Sequence, residues 1–260
     1  MEEKSVLFGR LIEIMDTLRA RCPWDNKQTI ESLRYLTIEE TYELSDAILE
    51  RDMEGIKKEL GDLMLHLVFY AKIASEQQVF DIWDVLQSIT EKLIHRHPHI
   101  FGDVKVGSAR EVRDNWEKIK LKEHGNPSVL TGVPGSLPAV VKAYRIQEKA
   151  SGVGFDWDNA DQVWMKILEE LTELQDAVRR GAAQAVREHE VGDLLFAIVN
   201  YARFIDVNPE DALERTNKRF INRFQYIEDQ AKKHHKPLRE MSLQEMNVFW
   251  NEAKKLEKES

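Results

Sequence analysis

The chain carries one pattern twice. Residues 38–44 (IEETYEL) match residues 168–174 (LEELTEL), and residues 59–65 (ELGDLML) match residues 190–196 (EVGDLLF). Upstream stands a Trp-Asp-Asn triplet in each half, Trp24–Asn26 and Trp157–Asn159. Further on, Lys92 and Arg96 share their i,i+4 spacing with Arg219 and Arg223. Four blocks held in one order are not a coincidence, so the chain is an internal duplication and its halves must fold alike. Between them, residues 124–138 (HGNPSVLTGVPGSLP) hold three of the 7 Pro and three of the 12 Gly. That stretch cannot continue a helix and reads as a linker. The expected organisation is an N-terminal domain over 1–123, a linker over 124–138 and a C-terminal domain over 139–260.

Apolar residues recur with helical period in both halves. Leu7, Leu11, Ile14, Met15 and Leu18 form one stripe. Leu60, Leu63, Met64, Leu67, Val68 and Ala71 form a second, and Val191, Leu194, Leu195, Ile198, Val199 and Ala202 a third. No period-2 alternation between hairpin turns competes with them. The predicted fold class is all-α, as tandem helical bundles. The charged tail from Lys254 to Ser260 is expected to fray.

Composition removes several functions. With 46 acidic against 37 basic residues the net charge is −9, which disfavours general nucleic-acid binding. No run approaches a membrane span, and the start (MEEKSVLFGR) lacks a basic segment followed by an apolar one. The single cysteine, Cys22, excludes an internal disulfide framework. A soluble, cytoplasmic protein is expected.

Each half places an EExxE box ahead of an ExxD box. On a helix, residues at i and i+3 share a face, so Glu40 projects with Glu43, and Glu59 with Asp62. The second copy offers Glu170 with Glu173, and Glu190 with Asp193. At 100° per residue Glu59 and Asp62 fall on the edge of the Leu60/Leu63/Leu67 stripe, facing the bundle interior or its mouth. Four carboxylates converging there repel one another unless they are protonated or share a cation. Oxygen ligands without Cys or His suit Mg²⁺ or Mn²⁺. Gly61 and Gly192 lie inside good helices, where Gly costs about 1 kcal/mol relative to Ala; close helix approach at the site would explain them.

Carboxylate-held Mg²⁺ commonly also binds substrate phosphates, which calls for basic residues. Lys218, Arg219 and Arg223 lie on one helix, and Lys166 stands one turn before Glu170. Trp250, one turn before Lys254, is the candidate for stacking a base. Trp24, Trp116, Trp157 and Trp164 read as core anchors, and His95, His97 and His99 as structural or surface residues around the helix-breaking Pro98. Cys22 has no partner arrangement for nucleophilic catalysis, and neither a Walker A nor a GxGxxG glycine pattern occurs.

In the order CPWD (Cys22–Asp25), EETYE (Glu39–Glu43), ELGDL (Glu59–Leu63), RHPHIFGD (Arg96–Asp103), GFDW (Gly154–Trp157), EELTE (Glu169–Glu173) and EVGDLLF (Glu190–Phe196), the chain resembles the MazG family. That family belongs to the all-α NTP pyrophosphatases, with the dimeric dUTPases and the HisE-type phosphoribosyl-ATP pyrophosphatases. The resemblance spans nearly the whole sequence. It implies Mg²⁺-dependent hydrolysis of (d)NTPs to the monophosphate and pyrophosphate, little base selectivity, a role in nucleotide-pool control, and a homodimer of helical bundles. It makes Glu170, Glu173, Glu190 and Asp193 metal ligands of the C-terminal copy, and Lys166, Glu169, Arg219, Arg223, Trp250 and Lys254 nucleotide contacts. Arg219 stands where other members bear a Lys, with Lys218 adjacent. Glu169, unmatched to a ligand position, is a candidate general base. The C-terminal copy is the one credited with activity in the family, while the N-terminal set Glu40, Glu43, Glu59 and Asp62 keeps all four acids.

Three rivals stand beside this reading. A di-iron carboxylate bundle needs Glu-x-x-His pairs, and both helices here carry Glu-x-x-Asp. A non-catalytic adaptor with acidic faces does not need paired acids in register with apolar stripes. A narrow, dUTPase-like enzyme would keep the same acids.

Overall fold

The structure, a computed structural model, describes residues 2–108, 111–112, 115–116, 119 and 128–259. Among them the regular elements are all helical. The chain divides into two compact units, Met1–Ile119 and Lys120–Ser260. Residues 124–127 of the expected linker lie outside the described residues. From 128 to 137 the backbone runs through turns, with Gly132 at φ 86° where an L side chain is disfavoured.

The N-terminal unit is built on α1 (Glu2–Arg21), α2 (Ile30–Glu50), α3 (Met53–Glu76), α4 (Ile82–Arg96) and the short α5 (Pro98–Phe101). Thr29 caps α2 reciprocally with Ser32, and Asp81 caps α4 in the same manner with Asp84. Arg51, in the left-handed region at φ 58°, and Asp52, which accepts from the Glu54 N–H, turn α2 back into α3. The buried core joins Met15 of α1, Leu33 of α2 and Val68, Phe69 and Ile73 of α3. Arg19 closes its rim, bonded to Glu76 at 2.5 Å and donating to the carbonyls of Asp25 and Gln28.

The C-terminal unit repeats the plan with α6 (Ala139–Ser151), α7 (Ala160–Arg179), α8 (Gln184–Phe204), α9 (Pro209–Lys233) and α10 (Leu243–Glu259). Asn159 caps α7, the place Thr29 holds in the first copy. The first copy's Asn26 instead sits in a 3₁₀ turn, Asp25–Lys27, so three extra residues there separate the Trp-Asp-Asn triplet from the helix. Gly181, at φ 64°, turns α7 into α8 as Arg51 does in the first hairpin. The core is small-residue rich: Val163, Ile167, Ala177, Ala197, Val199, Ile227, Ala231 and Ala253.

Three expectations are corrected here. Trp24, Trp157 and Trp164 are about half exposed and do not anchor the core. A Cβ added at Gly61 or Gly192 would meet nothing within 4 Å, so neither glycine serves close helix approach within its own unit. The tail does not fray at Lys254, because α10 continues to Glu259 and Glu257 grips Arg223. The apolar stripes are also wider than the cores they feed. Leu60 and Leu67 remain 53% and 54% exposed, and Val191, Leu195 and Ile198 are open in the second copy.

Candidate active site

Each site grows from its hairpin. Glu43 lies eight residues before Arg51 and Glu59 eight after it. In an antiparallel pair with so short a turn, those positions come level across the interface. Glu173 lies eight residues before Gly181 and Glu190 nine after it, a nearly equal spacing. Helical spacing then adds Glu40 and Asp62 one turn farther from the first turn, and Glu170 and Asp193 one turn farther from the second.

In the N-terminal copy, carboxylate oxygens of Glu40, Glu59 and Asp62 lie within 4.8 Å of one another. In the C-terminal copy, Glu170, Glu173 and Glu190 form such a group, and Glu190 forms a second with Asp193 and His189. Glu190 is therefore common to two possible ligand sets. Each copy thus gathers three of its four predicted acids in one cluster. Glu43 stands outside the first, 3.9 Å from the Lys58 ammonium, and Asp193 belongs to the set with His189.

The innermost acid of each copy is nearly out of water. Glu59 is 6% exposed and Glu170 5%, and in both the Oε2 atom is buried without a hydrogen-bond partner. An orphaned buried carboxylate oxygen is costly, by about 1–3 kcal/mol or more for a charged group. Both orphaned oxygens belong to residues of the carboxylate clusters, which fits these residues to a hard cation: it would satisfy the oxygens and relieve the repulsion. These clusters could hold a metal ion.

The protonation pattern carries the same strain. Burial, then the charges of Asp62 and Glu43, hold Glu40 above the ordinary carboxylate range. Desolvation, then Glu170 and Glu190, do the same to Glu173. Lys166 bonds Glu169 at 2.6 Å and Glu170 at 2.7 Å, and these contacts raise its pKa and hold it firmly as an ammonium.

The predicted phosphate and base contacts have partners of their own. Arg223, on α9, binds Glu257 of α10 at 2.6 Å, and its guanidinium lies over the Trp250 ring at 5.3 Å. Trp250 also packs against Phe220. Arg219 donates to the Thr216 hydroxyl, Lys218 is half-buried, and Lys254 is exposed. The predicted stacking residue and the predicted phosphate residue are thus in contact with each other, on the α9–α10 pair.

Sequence reasoning missed three groups. His189 Nδ1 meets Asp193 Oδ2 at 2.9 Å, an i,i+4 spacing that was readable beside the ExxD box. Lys58 reaches Glu59 at 2.9 Å and Asp62 at 3.8 Å. Glu257, assigned to a frayed tail, is the partner of Arg223.

Comparison with known proteins agrees with the duplicated geometry. The model of the MazG nucleotide pyrophosphohydrolase domain matches twice, over residues 28–101 and 160–227. A protein of Thermotoga maritima named nucleoside triphosphate pyrophosphohydrolase/pyrophosphatase MazG is 43% identical, with 98% of each chain covered. A nucleoside triphosphate pyrophosphohydrolase of Escherichia coli is 39% identical over 96% of this chain and 98% of its own. A crystal structure of a mazG-related protein from Thermotoga maritima shares 30% identity over 43% of this chain and 97% of its own, with a TM-score of 0.39. With both hairpins inside the matched segments, the chain belongs to the MazG nucleotide pyrophosphohydrolase family.

Proposed function

We propose that this protein is a Mg²⁺-dependent nucleoside triphosphate pyrophosphohydrolase whose C-terminal carboxylate set, Glu170, Glu173, Glu190 and Asp193, is the working centre. The observation that carries this reading is the buried, unpartnered Glu170 Oε2, within a cluster formed with Glu173 and Glu190. Relatives that match this chain almost end to end are named for the same activity.

Glu170, Glu173, Glu190 and Asp193 would hold Mg²⁺, which would supply charge neutralisation for a triphosphate and activation of water. The remaining work falls to the chain's own groups. Glu169 is exposed and one position away from the ligand Glu170, where its carboxylate can accept a proton from the attacking water. Lys166, already charged and shared between Glu169 and Glu170, can transfer one of its bonds to a phosphate oxygen. Arg219 and Arg223, with Lys218, offer fixed positive charge for the leaving pyrophosphate. Arg223 must exchange Glu257 for phosphate to do so. Once Arg223 turns to phosphate, the Trp250 ring could stack a base and Lys254 offer a terminal ammonium, which suits broad base selectivity because every base has a π-face.

A homodimer is part of the proposal. Leu60 and Leu67 in the first hairpin, and Val191, Leu195 and Ile198 in the second, leave apolar side chains open to water that a second chain would cover. Gly61 and Gly192 lie within those same stretches, where open space would admit a second chain.

Product identity tests the reading. Incubation with ATP and Mg²⁺ should yield AMP and pyrophosphate, and EDTA should stop it. ADP and orthophosphate as first products would contradict it.

A further inference from the structure

The two copies differ at the positions that set their charge. Where α7 carries Lys166, one turn before its first acid, α2 carries Leu36. Where α8 carries His189, immediately before its ExxD box, α3 carries Lys58. From the C-terminal copy to the N-terminal one, the lysine's place thus moves from the first helix of the pair to the position just before the ExxD box.

That move changes what the lysine neutralises. Lys166 bonds two residues of its own helix, Glu169 and Glu170, and no described ion pair joins it to Glu190 or Asp193. Lys58 spans the hairpin. Its Nζ lies 2.9 Å from Glu59, 3.8 Å from Asp62 and 3.9 Å from Glu43 of the facing helix. Its neighbour Lys57 is turned away, onto Glu54. One ammonium therefore touches three of the four N-terminal acids. The buried Glu59 Oε2 is the atom it leaves without a partner.

We infer that Lys58 occupies the cation's place in the N-terminal copy, so that this copy is a carboxylate centre neutralised from within and binds a divalent ion far more weakly than the C-terminal copy. The inference rests on the metal-binding reading of the C-terminal set. A divalent ion entering the first cluster meets an ammonium 2.9 Å from Glu59 and 3.8 Å from Asp62, two of its three acids, a repulsion that in partly solvated surroundings costs more than a tenfold loss of affinity. His189, at the matching position of the second copy, can itself serve as a ligand. The matching acids of the first copy are then not evidence of a second working site. Their lysine makes the first hairpin a structural element.

Manganese binding, followed by the loss of the free-ion electron paramagnetic resonance signal, tests this without recourse to activity. The full-length wild type should hold Mn²⁺, and Asp193→Asn should lose most of it. Adding Lys58→Met to Asp193→Asn should create Mn²⁺ binding at least about tenfold tighter than Asp193→Asn alone shows. Adding Asp62→Asn should abolish that gain, and Lys58→Arg, which keeps the charge, should not produce it. Lys58 is 65% exposed at the side chain, so its replacement should leave the far-ultraviolet circular dichroism intact. The inference is overturned if Lys58→Met brings no gain, if Lys58→Arg brings the same gain, or if Asp193→Asn alone retains an ion as tightly as wild type. A wild type that binds no Mn²⁺ at all overturns the underlying metal reading as well.

Discussion

Replacing Glu170 by Gln should change the sign of its effect with metal. The side chain is buried, its Oε1 meets Lys166 at 2.7 Å, its Oε2 has no partner, and oxygens of Glu173 and Glu190 lie within 4.8 Å. At that distance each like-charge pair costs about 1 kcal/mol if screened as in water and about 3 kcal/mol at an effective dielectric of 20. Against this stands the bridge to Lys166, which is half-buried and keeps Glu169 when Glu170 is lost. Such a bridge contributes roughly 1 kcal/mol. In EDTA, Glu170→Gln should therefore unfold no earlier than wild type, and later by about 1 kcal/mol at low salt, a few degrees in the transition of a unit this size. In excess Mg²⁺ the order should reverse, because wild type gains ligand-linked stability that the amide cannot supply. Differential scanning calorimetry of both proteins under both conditions reads this directly. Equal destabilisation with and without metal would refute the reasoning and make Glu170 a packing residue.

Other outcomes follow from the same contacts. Glu40 and Glu173 are raised above their ordinary value of 4.5, so the folded chain binds more protons than the unfolded one above that pH. Metal-free stability should fall as pH rises from about 4.5 toward neutrality, and the Mg²⁺-induced rise in Tm should grow over the same window; a Mg²⁺ effect independent of pH would contradict this. Arg19→Ala removes the bridge to Glu76 and the donors to Asp25 and Gln28, and should cost the N-terminal unit about 2–4 kcal/mol in urea unfolding, with less than 1 kcal/mol refuting the role. Glu257→Gln releases Arg223 and should lower KM for the triphosphate severalfold with little change in kcat; a raised KM would mean that Glu257 positions Arg223 for substrate.

The hairpins were legible because their logic is local. A short turn between two amphipathic helices, with acids eight or nine residues to either side, defines which side chains come level. Glu59 was readable as an inward-facing acid from helical spacing alone, while Glu170 was readable only as sharing a face with Glu173. The glycines and tryptophans were not. Gly61 and Gly192 suggest crowding only if a neighbour exists, and within one chain the space beside them is open. Trp24 and Trp157 follow the rule that large apolar residues are inside, yet they stand at the outer ends of their helical pairs, near half exposure. Lys58 and His189 escaped notice because a single basic residue beside an acidic box looks like ordinary surface charge. Only the distances across the hairpin separate the lysine that spans both helices from the one that serves a single helix. Glu257 was hidden for a related reason: a run of charges reads as a solvated tail until a helix carries one of them against an arginine.

The most direct test of the central claim compares the two copies in one assay. Wild type, Glu173→Ala, Asp193→Ala, Glu43→Ala and Asp62→Ala are matched by circular dichroism, given saturating Mg²⁺ and ATP, and scored for AMP and pyrophosphate in quenched samples. Loss of Glu173 or Asp193 should lower turnover about a hundredfold or more, the range expected when a group stabilising the transition-state charge is removed. Loss of Glu43 or Asp62 should leave most of it. Activity abolished by the Glu43 and Asp62 substitutions, and preserved in the other two, would contradict the assignment of catalysis to the C-terminal hairpin.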